Sequence, residues 1–178
     1  MELYRVLLVD DEENIREGIS RKMDWQGLGF SLAGEASNGR DALELAEEIL
    51  PDVVLTDIKM PFMDGLELCG SLTELLPVSK FVIFSGFDDF EYAKQAIKIG
   101  VAEYLLKPVS SAVLLEHLSE IAEKVRDERE DLALKKVYYQ EMQENEELIK
   151  MKFLGELISG KLSLAEAMEK GKRFHMNL

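Results

Sequence analysis

Proline is scarce in this chain of 178 residues and it stops early, all four prolines falling at or before position 108. Everything beyond that point is free of the residue that most strongly breaks a helix. Cysteine is scarcer still: Cys69 is alone, which excludes an internal disulfide and a cysteine-based metal cluster and fits a reducing, cytoplasmic setting. It reads as a packing residue of a helix. The two histidines, His117 and His175, are isolated in the sequence and read as structural or solvent-facing. No apolar run approaches the ~18–20 residues that span a bilayer, and the opening "MELYRVLLVDDEE" is cut off by acids too soon to be a signal-peptide core. The expectation is a soluble protein with no membrane association.

Positive charge is also in short supply. The 21 Lys/Arg stand against 35 Asp/Glu, a formal net of −14, and the deficit is uneven. Residues 1–125 hold 11 basic and 24 acidic residues, a net of −13, whereas residues 126–178 hold 10 and 11, a net of −1. Nucleic-acid affinity rests largely on cationic contacts, so the acidic block would repel a phosphate backbone. What the chain does have is apolar residues, 47% of the total, enough for one ordinary domain and a smaller piece.

Those apolar residues come in a repeating order. "YRVLLV" (4–9), "SLAGEA" (31–36), "VVLT" (53–56), "KFVIF" (80–84) and "EYLL" (103–106) read as strands. Helical patterns follow each: 14–23, with Ile15, Ile19 and Met23 on one face; 39–50, stopped by Pro51; about 65–75; about 90–99, closed by Gly100; and one from about 111. Strands that alternate with helices predict a parallel sheet covered on both faces, an α/β doubly wound fold.

In such a sheet the functional groups gather beyond the carboxyl ends of the strands. Asp10, Asp11 and Glu12 follow the first strand, Asp57 the third, Ser85 the fourth, and Lys107 with Pro108 the fifth. Singly, each has a plain reading as a helix cap, a turn residue or a solvated charge, and a cap suits Asp10 and Asp11 well. Together they have complementary chemistry. Clustered carboxylates are costly without a cation, and an oxygen-only ligand set suits Mg²⁺ or Mn²⁺. Lys107 adds a compact positive charge for a phosphoryl oxygen, and such a site stabilises phosphoryl transfer. Asp57 is the expected acceptor, forming an acyl phosphate.

"VLLVDDE", "VLTDIKMPFMDG", "FVIFSGF" and "EYLLKPV" resemble, in order and spacing, the receiver domain of two-component response regulators over about residues 3–125. The resemblance implies a flavodoxin-like, five-stranded sheet of order 2-1-3-4-5. It implies phosphorylation of Asp57 by a sensor histidine kinase, and a Mg²⁺ site made by Asp11, Asp57 and the backbone carbonyl of Lys59 with help from Asp10. Lys107 would contact the phosphoryl group, Ser85 and Tyr104 would be the switch hydroxyl and switch aromatic, and Lys107–Pro108 would be a cis peptide. The chain would turn over no separate substrate. The output surface would be that of residues about 86–110, with Phe87, Phe90 and Tyr92 as packing and switch-face residues. "FSGFDDFEYAKQAIKIGVAEYLLKPV" and "DWQGLGF" more narrowly resemble receivers attached to AraC-type helix-turn-helix output domains, so DNA would be met only through a module outside this chain.

Two rivals differ in kind. A phosphatase of the haloacid-dehalogenase type also forms an acyl phosphate on a strand-end Asp, but it carries a second acid two residues on, where this chain has Lys59. A receiver-like dimerisation module that never takes phosphate would have no use for Asp10, Asp11, Asp57, Ser85 and Lys107 together.

From Ser111 to about Ile158 almost nothing breaks a helix, and at 1.5 Å per residue ~45 residues would run roughly 65–70 Å. Such a helix needs a partner. Alternate steps of three and four residues give Leu118, Ile121, Val125, Leu132, Tyr139, Met142, Ile149 and Phe153, interrupted by Glu128, Lys135 and Glu146. This is the pattern of a coiled-coil seam and predicts a parallel homodimer. The expected division is a receiver over 1–125, a helical linker over 126–158 and, over 159–178, the start of a further domain opened by a capping box at Ser163 and Glu166.

Overall fold

A computed structural model describes residues 2–86 and 90–174. Phe87 and His175, both named above, lie outside the described residues. Strands β1 (Tyr4–Val9), β2 (Phe30–Ala36), β3 (Val53–Asp57), β4 (Lys80–Ser85) and β5 (Glu103–Leu106) alternate with helices α1 (Glu13–Lys22), α2 (Gly39–Ile49), α3 (Gly65–Leu75), α4 (Phe90–Ile99) and α5 (Ser111–Ile158). The strands form one parallel sheet of order β2-β1-β3-β4-β5, as expected. A last helix, α6, spans Leu164–Arg173.

Period-two alternation decides which side of the sheet each strand residue serves. Leu7, Val9, Val54, Phe81 and Ile83 point to one face and pack with Ala42 and Ala46 of α2 and Leu68, Cys69 and Leu72 of α3. Val6, Leu8, Val53, Leu55, Val82 and Phe84 point to the other, against Met23, Trp25 and four residues of α5: Leu114, Leu118, Ile121 and Val125. Both layers are apolar, so the central strands carry apolar residues on both sides. Cys69 is a buried packing residue.

The helix starts correct one detail of the sequence reading. Neither Asp10 nor Asp11 caps α1; the cap position is Glu12, which makes no side-chain cap bond. Asn38 caps α2, and Asp64 caps α3 in a full capping box with Glu67. Leu50 ends α2 in the left-handed region at φ 47°.

The chain divides into two compact units, Met1–Glu128 and Arg129–Leu178. Within the second, Phe153 stacks on Phe174 with ring centroids 5.7 Å apart, Lys170 meets Glu156 at 3.2 Å, and Ser163 and Glu166 form the predicted capping box. The predicted seam needs correction at both ends. Leu118, Ile121 and Val125 are buried in the first unit's own core, and Phe153 is covered within the second. A three-and-four spacing marks a buried helix face without saying whether a sheet or a second helix covers it. The exposed remainder is Leu132, Tyr139, Met142 and Ile149. Among the described residues no helix is long and apolar enough to cross a membrane.

Candidate functional site

The carboxyl ends of β1, β3, β4 and β5 converge as expected, with Asp57 and Ser85 as the last residues of their strands rather than the first beyond them. Both are therefore positioned by ladder hydrogen bonds as well as by packing. Asp10 and Ser85 are fully buried, Asp57 is nearly so, and Asp11 is exposed. Ligand oxygens of Asp10, Asp11 and Asp57 all lie within 4.8 Å of one another.

Lys107 binds this cluster together. Its Nζ donates to Asp10 Oδ2 at 2.8 Å and to Asp57 Oδ2 at 3.1 Å. Its backbone N–H donates to the Ser85 carbonyl at 2.7 Å, which ties the lysine to the end of β4, and the Lys107–Pro108 peptide is cis. The other oxygens are held by backbone: Asp57 Oδ1 accepts from the Ile58 N–H at 2.7 Å, and Asp10 Oδ1 from the Glu12 N–H at 2.9 Å. Arg16 Nη1 donates to the Asp10 carbonyl at 2.6 Å. Sequence reasoning missed Arg16, because a basic residue on a helix carries no signal of which carbonyl it reaches.

It also missed Gly65. A Cβ there would stand 2.0 Å from the Asp57 carbonyl oxygen, and the Gly65 N–H donates to the Ile58 carbonyl at 2.8 Å. The start of α3 is thus pressed against the end of β3, at a distance only glycine allows. Asp64 and Glu67, spaced as a capping box, were the visible signal for that helix start.

Burial pushes the Asp57 carboxyl above the usual carboxylate range; the charge of Asp10 pushes the same way, and Lys107 with the Ile58 N–H offsets only part. Burial by itself would lower Lys107, but hydrogen bonds and charge from Asp10, then from Asp57, outweigh it and raise the ammonium. The lysine is therefore firmly charged, while the acids hold more negative charge than one lysine neutralises. Two buried carboxylates and an exposed third, with no nitrogen or sulfur donor among them, fit a hard divalent cation.

The remaining predicted residues lie around this centre. Lys59 is exposed, its Nζ 6.0 Å from the Tyr92 ring centroid. Tyr104 is half-buried on β5 and packs against the core layer that contains Ile83. Phe90 is exposed at the start of α4. An apolar cleft of about 460 Å³ opens beside Lys107, lined by Ile15, Ile19, Met23, Phe84 and Leu114 among others. His117 is not isolated: its Nδ1 lies 3.5 Å from Glu103 Oε2 on β5.

A family model described as the response regulator receiver domain matches residues 6–119. The chain belongs to the response regulator receiver family. It is 43% identical over 134 residues to the transcriptional regulatory protein YesN of Bacillus subtilis, covering 75% of this chain and 36% of that protein. It is 38% identical over 112 residues to the transcriptional regulatory protein HptR of Staphylococcus aureus, covering 63% and 44%. This receiver chain thus spans less than half the length of either relative. Among solved structures it resembles the receiver domain of AraT, a response regulator from Geobacillus stearothermophilus, at 40% identity and TM-score 0.68 over 71% of this chain and 98% of that one. It also resembles a two-component transcriptional regulator AraC from Clostridium phytofermentans, at 35% identity and TM-score 0.66 over 71% and 98%. A response regulator receiver domain is what fold, site and relatives jointly describe.

Proposed function

We propose that Asp57 accepts a phosphoryl group from a sensor histidine kinase and that the resulting charge is relayed to a DNA-binding output module outside this chain. The observation that carries this reading is the placement of Asp57: nearly buried at the end of β3, with Lys107 Nζ at 3.1 Å and the oxygens of Asp10 and Asp11 within 4.8 Å. A carboxylate oxygen of Asp57 attacks phosphorus, the bond from phosphorus to the donor's imidazole nitrogen breaks, and the departing nitrogen takes a proton from solvent. Lys107 orients Asp57 beforehand and faces a phosphoryl oxygen afterwards, while the Ile58 N–H fixes the carboxylate plane.

Asp10 and Asp11, with Asp57 and the Lys59 carbonyl, would hold a Mg²⁺ or Mn²⁺ ion. When bound, such an ion would supply positive charge to offset that of the acids and of the phosphoryl oxygens. Phosphorylation adds about −1.5 to −2 charge at Asp57. Ser85, at the end of β4, and Lys107, bonded to its carbonyl, are drawn toward it, and Tyr104 on β5 repacks: a population shift between two packings of α4 and β5. The exposed apolar stretch of α5 is read as a homodimer seam. The apolar cleft is lined in part by Lys107, whose ammonium meets Asp57, and it suits the docking of a donor protein.

The test is incubation with acetyl phosphate and Mg²⁺, read by intact mass. The parent should gain the mass of one phosphoryl group, and Asp57→Ala should gain none. Equal labelling of parent and variant sinks the assignment, as does no labelling of the parent by acetyl phosphate or beryllofluoride. Catalytic hydrolysis of p-nitrophenyl phosphate would instead favour a phosphatase.

A further inference from the structure

Along α5, between the last receiver-core residue and Phe153, the seam positions are Glu128, Leu132, Lys135, Tyr139, Met142, Glu146 and Ile149. Glu128 already has a partner, its Oε1 accepting from Lys80 Nζ at 2.6 Å, and Phe153 is stacked under Phe174. What remains is the stretch from Leu132 to Ile149, where every seam position is exposed: Leu132 by 48%, Tyr139 by 65%, Met142 by 52% and Ile149 by 39%. Two of its positions are charged and of opposite sign, Lys135 and Glu146. Their placement within the stretch is what selects an orientation.

In a parallel pair each seam residue faces its own copy. Lys135 would then face Lys135 and Glu146 would face Glu146, like charges in two central layers, which is unfavourable once water is excluded. Reversal about the midpoint between Gln140 and Glu141 removes both conflicts. Leu132 meets Ile149 of the second copy, Tyr139 meets Met142, and Lys135 meets Glu146, each pairing made twice by symmetry. An antiparallel register requires alternate seam positions to face each other across the pair, and these do. Among the flanking residues, Asp131 faces Lys152 of the second copy when the helices are antiparallel and Lys136 when they are parallel, while Arg129 faces Lys150 only in the antiparallel pair, a like-charge contact at the exposed ends that salt screens.

We infer that the stretch from Leu132 to Ile149 of α5 pairs antiparallel with the same stretch of a second copy, Lys135 of each lying against Glu146 of the other. This rests on reading the exposed stretch as a homodimer seam, and it replaces the parallel arrangement expected from the heptad spacing alone. The pairing is isologous, so it closes at two copies and leaves no surface to propagate. The overlap is about 27 Å of helix, and the two helices diverge beyond it because the next seam positions, Glu128 and Phe153, are taken by Lys80 and Phe174; it is short enough for the two charged layers to weigh heavily in the choice of register.

The experiment uses the whole 178-residue chain. Sedimentation equilibrium of Lys135→Glu, of Glu146→Lys and of the double exchange is compared with the parent. Each single reversal should weaken dimerisation by about tenfold or more, because it turns two attractive contacts into two repulsive ones, and the double exchange should restore it to within about threefold. In a parallel dimer each single reversal only exchanges one like-charged pair for another, so all four proteins would agree within about threefold, and that result overturns the orientation. Oxidation of Leu132→Cys mixed with Ile149→Cys gives a second reading. A 132-to-149 disulfide supports the antiparallel pair, and a 132-to-132 link from Leu132→Cys alone overturns it. Cys69 does not interfere, because burial pushes its thiol up to about 12. A parent that stays monomeric at every concentration overturns the dimer reading itself.

Discussion

Burial disfavours the ionised form of Asp57, and that has a measurable consequence in the absence of a cation. Its folded-state carboxyl is raised above the unfolded value of 3.8, chiefly by burial, so between those two values the folded protein binds the extra proton. Stability therefore falls as pH rises through that window and stays reduced at neutral pH. Asp57→Asn removes the group that suffers the loss. In cation-free buffer at pH 7 the variant should melt higher than the parent by roughly a few degrees, and the gap should close as pH is lowered toward 3.8. Millimolar Mg²⁺ should raise the parent's melting temperature and leave the variant's nearly unchanged. A variant that melts lower than the parent in cation-free buffer would contradict the electrostatics described for the site. Lys107 has the opposite linkage: its raised ammonium contributes stability at all lower pH, lost only as pH rises through its folded value. Neutral-pH behaviour thus separates the two residues.

At the scale of elements, the contact between α3 and β3 fixes where Asp57 stands. Gly65→Ala places a methyl group 2.0 Å from the Asp57 carbonyl oxygen, a backbone atom that cannot step aside without moving the strand end. The expected cost is about 1–3 kcal/mol in chemical denaturation, with slower labelling by acetyl phosphate. Unchanged stability and labelling would show that α3 shifts freely. Helix α5 gives a second contrast within one element. Leu118→Ala should cost about 2–5 kcal/mol, because Leu118 is fully buried under the sheet, whereas Leu134→Ala, 69% exposed, should stay within about 0.5 kcal/mol. The same helix shows where sequence reading succeeds and fails. The central strands were legible because residues such as Val53–Leu55 are apolar on both faces, and Gly100 or Pro51 marked the stops. The seam was legible as a buried stripe, but Leu118 and Phe153 carry the same signal whether a sheet, a ring or a second helix covers them. Asp10, Asp57 and Lys107 were legible because strand ends of a parallel sheet meet at one edge. Arg16, Gly65 and the Glu103 contact of His117 were not, because each depends on a distance that only the assembled elements set.

At the scale of the molecule, the two compact units differ in what holds them. The unit Met1–Glu128 contains the whole sheet, both apolar layers and every residue of the acidic site. Its last strongly buried side chain is Val125, and its final residue, Glu128, still meets Lys80. The unit Arg129–Leu178 consists of part of α5 and α6, joined at Phe153, Ala167 and Phe174. A fragment of residues 1–128 should therefore unfold cooperatively, with a midpoint close to that of the first unit in the whole chain, and should take a phosphoryl group on Asp57 at the parent rate. A fragment that stops at residue 113 lacks Leu114, Leu118, Ile121 and Val125, so one face of the sheet would lie open to water. At about 1.5–3 kcal/mol for each buried aliphatic side chain, that loss equals much of the net stability of an ordinary domain. The shorter fragment should lose its cooperative transition, bind a hydrophobic dye and fail to label. If it instead folded and labelled like the longer one, the start of α5 would be a linker resting on the receiver rather than part of its core.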